Sequence, residues 1–236
     1  MPVALVTGSA KGIGRALLLA LAADGYDVVV HYRSSQPEAE AVAAEARTHD
    51  VTAIALSADV GDPDQAATLV DRVHEHFGRL DVLVNNVGNY HKEPLDSLGL
   101  DDWHHMFDTN LHSTFYTCRR AVPLMRAAGY GRIINLGYAG AEQLVARPRI
   151  VAYSIAKTGV ILYSKALAQE EAPHGITVNV ISPGVMENSV SQPLRDIPLG
   201  RAGRLDELVA AARFLLSPAA AYVTGTTIEV AGGWHL

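Results

Sequence analysis

Tyr153 and Lys157 stand four residues apart in an alanine-rich stretch, so a helix there raises both side chains from one face. A phenol with a pKa of about 10 is a poor proton shuttle near neutrality, and a close ammonium favours the phenolate by Coulomb attraction. A shift of roughly three units corresponds to about 4 kcal/mol, within reach of one near charge in a partly dry site together with a second, cationic group bound beside it. The pair therefore reads as a proton-delivery device, with Tyr153 made more acidic by Lys157. Asn110, an amide inside a long apolar helical segment, needs a polar partner and is a third candidate.

A second set of residues is suited to an anion. The run Thr7-Gly8-Ser9-Ala10-Lys11-Gly12-Ile13-Gly14-Arg15 follows an apolar β-branched segment and opens an alanine- and leucine-rich helix. Glycines there let backbone approach a pyrophosphate, with the first helical N–H groups and the positive dipole end facing it. Dinucleotide binding is the reading this context favours over a bland turn. The next strand ends in His31-Tyr32-Arg33-Ser34-Ser35. No carboxylate occupies the place where one would bind the ribose 2′-hydroxyl of NAD. Arg33, Ser34 and Lys11 are suited to a 2′-phosphate instead, which selects NADPH (NADP+), although Arg33 also reads as a solvated loop charge.

These residues need a scaffold, and the apolar pattern supplies one. Strand-like runs fall at 3–7, 27–31, 52–56, 82–84, 132–136, 176–181 and 227–230. Helix-length segments lie between them at 12–23, 37–48, 64–77, 100–127, 151–171 and 205–216. That alternation predicts right-handed crossovers and one Rossmann-type, doubly wound α/β domain over residues 1–236, its seven strands mostly parallel and covered on both faces by helices. Ligands in such sheets bind at the carboxyl ends of strands. The segment 186–201 has no clear period and reads as a mobile substrate loop.

Composition narrows the function. Hydrophobic residues make up 49% and charged residues 19% of 236, enough for a large buried core. A net charge of −6 offers no field for phosphate backbones, so nucleic acid is not an expected partner. No apolar run reaches the roughly 18 residues that span a bilayer. One cysteine, Cys118, and no signal-like start make a cytoplasmic location the expectation. His91, His104, His105 and His112 lack carboxylate partners at ligand spacing and read as surface histidines rather than a metal site.

Taken in order, Thr7-Gly8-x3-Gly12-x-Gly14, Asn85-Asn86-Val87-Gly88, Asn110, Tyr153-x3-Lys157 and Pro183-Gly184 resemble the classical short-chain dehydrogenase/reductase family, with 3-oxoacyl-ACP reductases and pteridine reductases as the nearest-looking relatives. The resemblance implies hydride transfer from a nicotinamide to a small carbonyl or imine, with Tyr153 as proton donor and Lys157 also holding the nicotinamide ribose. It implies that Asp59-Val60 lies by the adenine, Asn86 and Gly88 beneath the cofactor, and Pro183-Gly184-Val185 along the nicotinamide. It makes Asn110 the anchor of a water chain from Lys157 to solvent. The tail Gly225 to Leu236 resembles a segment that packs across a twofold axis, so a homo-oligomer, tetramer or dimer, is expected.

The family serine after the fifth strand is missing, and Tyr138 stands there. Its hydroxyl either replaces the serine as a donor, or its ring lines the pocket. Arg147 and Arg149, in a loop two residues longer than usual, face an anionic substrate or solvent. The carrier-docking places of ACP reductases read Ala127-Ala128-Gly129-Tyr130 and Pro173-His174, so an acyl carrier ranks below a free carbonyl compound here. A pteridine-type C=N reductase is the nearest alternative, and a binding protein that senses NADPH without chemistry is another.

Overall fold

A computed structural model describes residues 1–235; Leu236, the end of the tail expected at a twofold axis, lies outside them. Seven strands form one sheet in the order β3-β2-β1-β4-β5-β6-β7. They are β1 (Val3–Val6), β2 (Asp27–Tyr32), β3 (Ala53–Ser57), β4 (Val82–Asn85), β5 (Gly131–Leu136), β6 (Ile176–Pro183) and β7 (Thr227–Val230). Every pairing is parallel, so the expected mostly parallel sheet is wholly so. The strand order reverses between β1 and β4, which opens the crevice that parallel sheets use for ligands.

Side chains alternate across the sheet. Ala4 and Val6 join the core under helices α1 (Gly12–Ala23), α2 (Gln36–Ala46) and α7 (Leu205–Leu216). Val3 and Leu5 face the opposite core, under α3 (Pro63–Phe77), α5 (Ser113–Ala128) and α6 (Val151–Glu171). Burial on both faces explains why the central strands read as continuous apolar runs.

One expectation changes. The segment 100–127 is not one helix: α4 (Leu100–Phe107) passes into α5 through a five-residue π-helical turn, Asp108–His112. The apolar period survives one extra residue in a turn, so the sequence pattern hides the break. The stretch Pro148–His174 meets the length and mean hydropathy of a membrane span, but Lys157 and Lys165 interrupt it and α6 packs within the fold. The segment after β6 is tied down at its start by a bridge between Met186 and Gly203, and Ile197 is buried beneath it.

Asp81 fastens the start of the central strands. It is buried, accepts the Val3 N–H at 2.7 Å, and takes two bonds from Arg79 at 2.8 and 2.7 Å. In Asp81→Ala the Val3 donor is left unpaired away from water, which costs about 2 kcal/mol, with a smaller loss from the half-exposed Arg79. Urea unfolding of the variant is expected to show that loss with an unchanged slope.

Candidate active site

The proton-delivery residues converge where β4 and β5 end. The β4–β5 ladder stops at the pair Asn85 and Asn135, so the carbonyl of Leu136 lies beyond the last β4 partner. Lys157, buried on α6, donates from Nζ to that oxygen at 2.8 Å. Asn110 sits in the π-helical turn, where its Nδ2 donates to the carbonyls of Asn89 and Met106, both at 2.9 Å. Its Oδ1 is buried with no partner. Gly88 brings the two together: a Cβ there would lie 2.6 Å from Asn110 Oδ1 and 3.1 Å from Lys157 Nζ.

Tyr153 lies one turn from Lys157, whose Nζ is 5.9 Å from the phenol ring centre. The two side chains share a site, and the chain's own groups by themselves move the phenol away from acidity. Burial pushes the Tyr153 pKa up, and the neighbouring phenols of Tyr138 and Tyr90 add to it. Burial also lowers the Lys157 pKa, to about 8. Among the chain's own groups desolvation sets the direction for both side chains, while Lys157 Nζ is directed to the Leu136 carbonyl.

Tyr138 is buried with its ring edge-on to Tyr153 at 5.3 Å, and burial raises its pKa too. The Arg147 guanidinium lies 5.6 Å from the Tyr138 ring centre and meets the His235 ring at 2.8 Å. Arg147 is thus held by the tail, while Arg149 offers only its carbonyl, to the Glu93 N–H at 2.9 Å. Trp234 closes the same wall, 6.3 Å from Tyr138. On the opposite side Tyr90, largely exposed, stands edge-on to Tyr153 at 5.1 Å. Sequence reasoning missed Tyr90, although it lies two residues past Gly88.

The anion-suited residues gather at the β1, β2 and β3 ends. A cleft of about 380 Å³ is lined by Gly8, Lys11, Arg33, Ser34, Asp59 and Val60, among others. Arg33 faces Asp59 across it at 3.4 Å. Gly14 packs the helix onto the turn: a Cβ there would lie 2.5 Å from the Gly8 carbonyl. Gly12 takes a left-handed φ of +60°, and only Asn188 stands near its open side. Asn86 Nδ2 donates to the carbonyls of Thr7 and Gly8, at 2.9 and 3.1 Å, so its amide braces the turn. Ser9 also faces inward, its hydroxyl donating to Val6 O at 2.7 Å and its N–H to His31 O at 3.0 Å. Ile13 packs against the core. Pro183-Gly184-Val185 is pinned to β7 through the Gly184 N–H on Val230 O at 3.0 Å. The open glycine face and the free end of α1 fit a pyrophosphate, and Lys11 with Arg33 fit a further phosphate.

The four histidines do not assemble. His112 pairs with Asp108 at 2.8 Å and His91 with Glu93 at 3.3 Å, so two of them have a carboxylate neighbour after all. Among the described residues no three metal-binding side chains gather.

A Rossmann sheet with a glycine-rich turn beside a Tyr–Lys pair defines a nicotinamide-dependent oxidoreductase. The chain belongs to the short-chain dehydrogenase/reductase family: residues 8–235 match the family model described as enoyl-(acyl carrier protein) reductase. It is 42% identical to a 3-oxoacyl-[acyl-carrier-protein] reductase of Synechocystis, over 98% of this chain and 96% of that protein. Among solved structures, a Sinorhizobium meliloti chain described as a short-chain alcohol dehydrogenase superposes with a TM-score of 0.93 at 33% identity, covering 99% and 96% of the two chains. An acetoin dehydrogenase from Salmonella typhimurium gives 0.90 at 30%, covering 99% and 95%. These relatives do not favour a pteridine reductase.

His31 is the group whose titration stability should report. It is buried, and its pKa falls from 6.5 to about 4, chiefly through desolvation. Between those values the unfolded chain binds the proton and the folded chain does not. Stability from this group is therefore complete above the unfolded pKa and is lost as pH falls toward about 4, by about 3 kcal/mol in all. Comparing urea unfolding of wild type and His31→Asn at about pH 7 and about pH 4.5 should show a smaller acid loss in the variant.

Proposed function

We propose that the protein is an NADPH-dependent reductase of a 3-oxoacyl thioester or a close β-keto analogue. The observation that carries this reading is the meeting of Lys157 Nζ and Asn110 Oδ1 at Gly88, with Tyr153 one helical turn away. The sequence relatives support the substrate class. The cofactor supplies a hydride to the carbonyl carbon. Tyr153 gives its proton to the carbonyl oxygen as that atom gains charge, and an alcohol results. A phenol whose pKa is raised holds this proton across the neutral range, as the acid of a reduction requires.

Lys157 then returns a proton to Tyr153, and the unpaired Oδ1 of Asn110 holds the water through which Lys157 is recharged. Tyr138 takes the place of the missing serine as second donor to the substrate oxygen. Its ring stands edge-on to that of Tyr153, with the centroids 5.3 Å apart. Lys11 and Arg33 select NADPH by pairing with its 2′-phosphate, Arg33 giving up Asp59 to do so.

NADPH consumption with acetoacetyl thioesters, acetoin, a diketone and a dihydropteridine tests the substrate. Turnover of the thioester far above the others is expected, and preference for the dihydropteridine would reject the reading. Tyr153→Phe should reduce kcat by about a thousandfold and Tyr138→Phe by about a hundredfold. A Tyr138→Phe enzyme with full turnover would reduce Tyr138 to a wall.

Cofactor choice is measured separately. Arg33→Ala and Lys11→Ala should each raise the KM for NADPH by about tenfold, equivalent to about 1.4 kcal/mol, and leave that for NADH unchanged. Equal effects on both nicotinamides would refute phosphate recognition.

A further inference from the structure

Three of the pieces of chain that wall the nucleotide cleft are the glycine-rich turn, the end of β2 and the segment that follows β3. One buried side chain joins all three. His31 accepts the Gly8 N–H on Nδ1 at 2.9 Å, and its Nε2 meets the Ala58 carbonyl at 3.0 Å. Its own backbone N–H donates to Ser9 Oγ at 3.1 Å, and its carbonyl accepts the Ser9 N–H at 3.0 Å.

The partners dictate the protonation. A backbone N–H can only donate and a carbonyl can only accept, so the imidazole is neutral with its proton on Nε2. An imidazolium would set one N–H against another, in keeping with a pKa driven down to about 4. The ring reaches in opposite directions at once, to the turn and to Ala58, which immediately precedes Asp59. The charged groups around the cleft are Lys11 from the turn, Arg33 beyond the end of β2 and Asp59 beyond β3. Their spacing follows from where the two anchor points are held.

We infer that His31 is a positioning residue for the dinucleotide, its neutral ring fixing the distance between the pyrophosphate-facing turn and the Asp59 wall. The inference rests on the proposed dinucleotide binding and adds to it a buried residue of the cleft lining that acts through its two anchors, the Gly8 N–H and the Ala58 carbonyl. A ring without nitrogens fills the same space but leaves both anchors unpaired. Asn reproduces an acceptor near Nδ1, and Gln a donor near Nε2.

Direct titration of the full chain with NADPH, alongside steady-state kinetics, tests this. His31→Phe should weaken NADPH binding by about tenfold or more while kcat at saturating NADPH stays within about twofold, and His31→Asn should recover most of the affinity. His31→Gln, which loses the bond to the turn, should fall between, by about threefold. A folded His31→Phe that binds NADPH as wild type does, or loses kcat with KM unchanged, overturns the inference. Should His31→Phe fail to fold, an unaltered affinity in His31→Gln overturns it equally. Wild-type protein that binds no NADPH would instead sink the functional reading on which this one stands.

Discussion

The site depends on keeping an ammonium out of water. Lys157 is almost wholly enclosed, and burying a lone cation costs several kcal/mol unless polar groups receive it. The fold receives it with the Leu136 carbonyl, which lies past the end of the β4–β5 ladder. That ladder ends because β4 stops at Asn85, and the chain then turns through Asn86 and Val87 to Gly88. The same shortness that frees a carbonyl thus creates the floor on which Gly88 admits Lys157 and Asn110. One strand being shorter than its neighbour is the topological origin of the proton-delivery centre.

The π-helical turn belongs to the same arrangement. Asn110 stands in that turn, its Nδ2 spanning from Met106 within the helix to Asn89 in the loop. Both donors of the amide are thereby spent on the protein, which fixes the remaining Oδ1 toward Gly88. The acceptor left over lies beside the buried lysine at Gly88, open to a bridging water.

Much of this was legible in the chain because it rests on local patterns. The apolar strands, the helices between them and the glycine-rich turn each declare themselves within a dozen residues, and Tyr153 and Lys157 announce a shared face by their spacing. What stayed hidden depends on residues distant in sequence. His31 reads as an odd histidine at the end of an apolar strand, since its partners Gly8 and Ala58 lie far away along the chain. Tyr90 carries no periodic signal at all. The π-helical turn escapes because the apolar period tolerates one extra residue. Spacing also failed to give the direction in which the chain's own groups move Tyr153: it shows proximity, but not where Lys157 points or how deep the enclosure is.

That failure sharpens the chemistry. A phenol acidified in advance would suit an enzyme that removes a proton, whereas burial among Tyr90 and Tyr138 stabilises the neutral form and suits one that gives a proton up. The aromatic enclosure and the proposed reductive direction are therefore one property seen from two sides. Tyr138, a buried phenol where the family serine would stand, adds to it, since desolvation favours its neutral form as well. Lys157, with its pKa lowered to about 8, is poised to part with its proton near neutrality, closer to the need of a group that must recharge Tyr153 after each transfer. Desolvation thus acts oppositely on the two partners, holding the proton on the phenol until a substrate oxygen demands it and loosening the proton on the amine that replaces it.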